Sequence, residues 1–139
     1  MDAHGHGLPA LVIDGLKFHD LAGFAREFSL LLDDHAWRGN LDAFNDILRG
    51  GFGTPDNGWV LKWLHADRSR EALGYRETAR RLEELLPHVH PANRGTVQRR
   101  LDRARRGEGP TLFDELVEII RSHGPGGAEA EDGVHLDLA

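Results

Sequence analysis

The chain has no cysteine in 139 residues, and only one methionine and one tyrosine. Without cysteine there is no disulfide framework and no thiolate-ligated metal, a composition compatible with a reducing compartment. No long apolar run is present, so no segment reads as a membrane span. The first nine residues, Met1 to Pro9, lack the basic and apolar regions of an export signal, and their glycines point to a frayed tail over 1–9. The expected location is cytoplasmic. Several site chemistries are missing too. Of the nine histidines, His4 and His6 fall in the tail and His88 and His90 flank a proline break. None pairs with another at helical ligand spacing, so no metal and no cofactor are expected. There is no Gly-x-Ser-x-Gly elbow, and Ser29, Ser69 and Ser122 lie in ordinary helical contexts, so the chain does not read as an enzyme. The Gly-rich loop 50–58 leaves a helix and enters a strand, the reverse of a phosphate-cradling loop. It reads as a connector or partner-contacting rim, with Phe52 either packed or offered to a partner.

What is present is a soluble-type composition with 40% hydrophobic residues and a net charge of −6, enough for one core. The charge is segregated: about −4 over residues 1–64, about +4 over 65–110 and about −6 over 111–139. The basic middle interleaves Arg76, Arg80, Arg81, Arg94, Arg99, Arg100, Arg103, Arg105 and Arg106 with Glu77, Glu83, Glu84 and Asp102, which reads as a helix face laced with salt bridges. Phe24, Phe28, Leu31 and Leu32 form an apolar stripe. The chain order reads as strand, helix, short acidic helix, Gly-rich loop, strand, several helices and strand, with helices over 67–74, 78–86 and 96–106 bounded by local signals. Trp59 and Trp63 bracket their strand and read as core. Pro87 stops one helix and 107–110 stop another. Alternating strands and helices imply an α/β fold, a small three-stranded parallel sheet covered by helices.

The most informative stretch is 37–51. Asn40 is a strong N-cap, Asp42 sits in the first turn where the positive helix end favours an anion, and Gly50 closes the helix. At about 100° per residue, Leu41, Phe44, Ile47 and Leu48 fall on one side and Asp42, Asn45, Asp46 and Arg49 on the other. Two carboxylates four apart read as a metal or acid/base pair only weakly. The plain structural alternative is a solubilising face on which Asp46 pairs with Arg49.

This stretch resembles the central motif of the barstar family of intracellular ribonuclease inhibitors, and the resemblance implies a first strand over 10–14 with a turn at Gly15, a first helix over 20–32, a second strand over 59–63, a last helix over 113–120 and a final strand over 134–138. The resemblance covers the chain except residues 75–108, which lack a counterpart in the shortest members and are expected to form an inserted helical hairpin within a single domain, 10–139. It implies an inhibitor without catalysis whose acidic helix blocks a nuclease by phosphate mimicry and steric occlusion. By matching position, Asp46 corresponds to the aspartate that enters the phosphate site and Asp42 to its neighbour, with Asn45 and Arg49 flanking and Glu118 as the late acidic contact. The implied partner is a cognate ribonuclease, barnase-like or from a polymorphic toxin. Ala36, Asn45 and Gly51 stand where the best-known member has aromatic residues, which implies a different nuclease or a weaker grip. Two alternatives remain: a nucleic-acid-binding module using the basic insertion, disfavoured by the overall acidity, and a scaffold for another toxin or regulatory protein.

Overall fold

The computed structural model describes residues 7–139. Most of the expected tail, with His4 and His6, lies outside the described residues. Three strands, Ala10–Asp14 (β1), Trp59–Leu64 (β2) and Val134–Leu138 (β3), form a parallel sheet in the order β1-β2-β3. Strand alternation sets the faces, because successive side chains point to opposite sides. Leu11, Leu61 and Leu136 align across the sheet, as do Ile13, Trp63 and Leu138, and these rows meet the helices. The alternate row of Val12, Lys62 and Asp137 faces away and is exposed.

Parallel neighbours require long crossovers, and helices fill both. The first contains Leu21–Ser29 (α1) and Leu41–Arg49 (α2); the second contains Ala66–Ala72 (α3), Tyr75–Leu85 (α4), Arg94–Arg105 (α5) and Leu112–Ser122 (α6). The α/β class and the three-stranded parallel sheet are as expected. No helix among the described residues is long and apolar enough to cross a membrane.

An aromatic cluster anchors α2. Trp37 stacks on Phe44 with centroids 4.6 Å apart, Phe24 stacks on Trp63 at 5.0 Å, and Phe28 meets Phe44 edge-on at 5.0 Å. Phe44, Ile47 and Leu48 are all buried, each such side chain contributing roughly 1.5–3 kcal/mol by leaving water. Trp37 Nε1 also donates to the carbonyl of Asn40 at 2.8 Å, which fixes where α2 begins. A smaller cluster of Leu82, Leu101 and Ala104 joins α4 to α5, so these two helices form a hairpin.

Helix boundaries differ from expectation in physically readable ways. The first helix is shorter than 20–32 because Asp20 stays outside as its cap, accepting from Gly23 N at 2.7 Å. At its other end Ser29 Oγ turns back to Ala25 O and takes the amide of Trp37, at 2.7 and 2.9 Å. The helix expected over 67–74 begins one residue sooner and ends at Ala72, where Leu73 caps it. The next, expected from residue 78, begins at Tyr75, since Gly74 follows α3 and at once caps α4. Pro87 ends the regular helix, but residues 86–88 continue as a 3₁₀ turn. The helices expected over 96–106 and 113–120 run Arg94–Arg105 and Leu112–Ser122, the latter opened by a capping box between Thr111 and Asp114.

Candidate functional site

The site is built on α2. Asn40 Oδ1 accepts the amides of Asp42 and Ala43 at 2.9 and 3.1 Å, and Gly50, at φ 110°, closes the far end with its amide on Ile47 O. Because the apolar side is held in the core, Asp42 and Asp46 are left exposed one turn apart. They do not share one environment. Asp42 lines a cleft of about 600 Å³ between α2, α4, α5 and α6, together with Asn45, Arg81, Arg100, Glu115 and Glu118 over a floor that includes Leu41, Leu82 and Ile119. Asp46 lies beside that cleft and accepts from Arg49 Nη1 at 2.7 Å.

The five residues expected at the site are therefore divided. Asp42 and Glu118, 76 positions apart in sequence, come to one cleft. Asn45 is half-buried and its Oδ1 lies 3.0 Å from His123 Nε2, so its amide faces inward as well as toward the cleft. Arg49 is not a free flank: besides Asp46, it donates from Nε to Glu129 Oε1 at 2.7 Å. The expected acidic patch thus contains a cation held between two carboxylates. Phe52 of the glycine-rich loop is partly packed on the core, with its ring centroid 4.7 Å from that of His35.

Three residues went unseen in the sequence. Glu115 is half-buried and paired with Arg100; burial raises its carboxyl above the usual range, Arg100 pulls it back, and Glu118 and Asp114 add to the rise. Glu129 is drawn the other way, its carboxyl held below the ordinary range by the hydrogen bond and charge of Arg49. Arg49 is raised in turn, chiefly by that hydrogen bond to Glu129. His123 is fully buried, with Nδ1 2.7 Å from Asp132 Oδ2 and Nε2 3.5 Å from Glu129 Oε2. No local spacing announced this node; the only sequence signal was the net acidity after residue 111.

His123, Glu129 and Asp132 have donor atoms within 4.8 Å of one another and are, among the described residues, the group that comes nearest to a metal site. Those atoms are already engaged by Asn45, Arg49 and one another. The Arg49 guanidinium already offsets the Glu129 carboxylate, and the arrangement is an ion-pair and hydrogen-bond network.

The hairpin carries part of the expected salt bridging: among the described residues Arg76, Arg94, Arg99 and Arg103 form no ion pair, and Asp102 accepts from Gln98 at 3.0 Å instead. Arg80 holds Glu77 and Glu84, Arg81 holds Glu84, Arg105 holds Glu83 and Arg106 holds Glu108. Arg81 and Arg100, the latter paired with Glu115, bring two cations to the cleft that Asp42 and Glu118 also line.

A family model described as Barstar (barnase inhibitor) matches residues 8–103, a span that takes in β1, the whole of α2, β2 and nearly all of α5. Comparison with curated proteins and with solved structures gives no match.

Proposed function

The chain belongs to the barstar family, whose members bind and inhibit ribonucleases, and from that premise we propose that it blocks the active site of a cognate ribonuclease with the exposed face of α2. The observation that carries this reading is the pair Asp42 and Asp46, exposed one turn apart on a helix whose other side is locked in the core. A nuclease that cleaves RNA holds phosphate among cationic side chains, so its empty site is a concentrated positive charge. Carboxylates presented on a rigid helix fit it through charge-assisted hydrogen bonds, and the surrounding negative field speeds encounter. In this reading Asp46 exchanges its Arg49 partner for a nuclease cation at the phosphate site. Asp42 and Glu118 grip a second cation across the cleft, and Asn45 lies between them. Residues 75–108 are an elaboration that gives the cleft its second wall. The protein has no catalysis of its own, acts in the cytoplasm and serves as immunity against a nuclease toxin.

The test pairs an activity with a complex. Purified protein is titrated into a barnase-type ribonuclease and into nucleases captured from the producing cell, while RNA cleavage and calorimetric heat are followed. Loss of cleavage at near one-to-one ratio with a protein–protein complex is expected. Inhibition that comes only from RNA sequestration, without such a complex, sinks the proposal.

A further inference from the structure

We infer that Asn45 is a specificity-determining residue whose hydrogen-bonding polarity toward the cleft is set by His123 and reverses when the His123 imidazole gains or loses a proton. The inference rests on the inhibitory reading only for what fills the cleft.

The argument begins with the partners of a fully buried ring. Nδ1 lies 2.7 Å from Asp132 Oδ2. An ionised carboxylate only accepts, so Nδ1 carries a hydrogen in either protonation state. Nε2 lies 3.0 Å from Asn45 Oδ1 and 3.5 Å from Glu129 Oε2. Both of these also accept. The contact with Asn45 is a hydrogen bond only while Nε2 carries a hydrogen too, which is the imidazolium form. When that proton leaves, the Nε2 lone pair faces the Asn45 oxygen, and a buried polar contact of that kind is costly.

A carboxamide offers a cheap escape. Its oxygen and nitrogen are nearly equal in shape, so a half-turn brings an N–H to Nε2 and moves the oxygen to the opposite side. Among the described residues the Asn45 side chain has no hydrogen bond besides the one to His123, so nothing else has to break. Because Asn45 lines the cleft beside Asp42 and Glu118, the turn changes what the cleft presents. A charged ring leaves the Asn45 amino group facing outward, and a neutral ring leaves its carbonyl oxygen there.

The surrounding charges are few. Glu129 and Asp132 face the ring from the segment ahead of β3, and Arg49 reaches it from α2 through Glu129. Asp46 lies one step further along that chain of pairs. From β3 comes only the Val134 amide, donating to the His123 carbonyl at 2.9 Å. A cationic donor entering between Asp42 and Glu118 therefore meets a third acceptor when the ring is neutral. It meets a donor and an added positive charge when the ring is protonated. Such a partner and the proton oppose each other, and the opposition is reciprocal.

The experiment needs no nuclease for its first arm. Nuclear magnetic resonance of the full chain follows the Asn45 carboxamide and both His123 ring nitrogens along a pH series over which the fold persists. The two side chains are expected to change with one midpoint, with a hydrogen-bond coupling from Asn45 Nδ2 to His123 Nε2 in the neutral form alone. Asn45 signals that stay flat while the ring changes protonation, or a ring that keeps one protonation state throughout the series, overturn the inference. Asn45→Asp supplies a second readout, because a carboxylate accepts at both positions and cannot turn into a donor. Its His123 midpoint is expected to rise, and an unchanged midpoint also overturns the inference. The second arm measures binding to a barnase-type ribonuclease from pH 8 down to pH 5 for the parent and for Asn45→Ala. One linked proton weakens binding by up to about tenfold per pH unit below the midpoint. The parent is expected to lose more than the variant, and equal losses count against the inference. A ribonuclease that neither protein binds defeats the inhibitory reading, while the spectra still decide the His123–Asn45 coupling.

Discussion

The carboxylate of Glu77 accepts the backbone amide of Leu21 at 2.7 Å, so a side chain of α4 closes the first turn of α1. Glu77 is buried and is gripped from its own helix by Arg80 through both Nε and Nη2. Thr78 beside it accepts the amide of Leu112 at 2.9 Å, which ties the same turn of α4 to the start of α6. The hairpin is thus fastened into the main body at two helix starts.

Glu77→Ala leaves the Leu21 amide buried without a partner, and a loss of about 1–3 kcal/mol is expected. Urea denaturation measures it. Glu77→Gln keeps the shape and an acceptor oxygen, so it should lose less. A loosely appended hairpin would leave the midpoint of both variants unchanged, which is the outcome that contradicts this reading.

Asp46→Ala should leave folding intact, because Asp46 is exposed and its Arg49 pair is a surface contact. Its effect belongs to binding: once a nuclease cation is left desolvated and unpaired, the dissociation rate should rise by the equivalent of roughly 2–5 kcal/mol. That range is the general one for buried interface ion pairs, with the family's own complexes among its sources. Asp42→Ala should cost less, since Glu118 shares its cleft. Dissociation rates from surface plasmon resonance, read beside unchanged thermal midpoints, decide the matter. Equal, negligible effects of both substitutions would mean a merely solvated face.

How much of this was legible in the sequence depends on whether the signal was local. The helix holding Asp42 and Asp46 could be bounded because Asn40 and Gly50 mark its ends by side-chain and backbone chemistry alone. The strand over 134–138 was legible through the family resemblance. The start of α4 was not, because Gly74 serves two helices at once. Nor was the end of α1, where Ser29 is claimed by Trp37 across a loop. Within the site, Asp42 and Glu118 could be named, but their meeting in one cleft is a property of packing. The Arg49–Glu129 and His123–Asn45 contacts join positions about eighty apart, and no spacing rule reaches that far. Glu77 had looked like one more acid in a salt-bridged face, and only its burial separates it from Glu83 and Glu84.

Stability should depend on pH through Glu129. Its folded carboxyl is held below the usual range, first by the Arg49 hydrogen bond, so its contribution is present above the unfolded carboxylate value. That contribution is lost as pH falls through the lower, folded value. Parent and Glu129→Gln should therefore differ in thermal midpoint near neutrality and converge in acid. A gap that persisted unchanged to about pH 3, below the unperturbed carboxylate range, would show that the pair with Arg49 is not what stabilises this segment.

Reversing Arg99, Arg103 and Arg106 to Glu separates the inhibitor from a nucleic-acid-binding module. All three side chains are exposed. Arg99 touches only Thr96 Oγ1 at 3.2 Å, and Arg106 pairs only with Glu108 at 3.0 Å. Since exposed pairs contribute little, the main structural cost is a negative charge near the C-terminal end of α5, roughly 0.3–1 kcal/mol per residue there. None of the three lines the cleft with Asp42 and Glu118. Nuclease inhibition should therefore persist at near one-to-one ratio, with a modest drop in denaturation midpoint. Under the nucleic-acid alternative the same change removes phosphate contacts, and each lost contact flattens the salt dependence of single-strand RNA binding by about 0.7 in slope. Among the described residues Arg80, Arg81, Arg100 and Arg105 are held by Glu77, Glu83, Glu84 and Glu115, which removes part of the hairpin's positive charge from reach of phosphates, and the net charge of −6 opposes an anionic ligand. No measurable RNA affinity at physiological salt is expected in either protein, and filter binding or fluorescence anisotropy across a salt series tests it. A tight, steeply salt-dependent RNA complex in the parent, abolished by the triple reversal, would transfer the function from α2 to the hairpin.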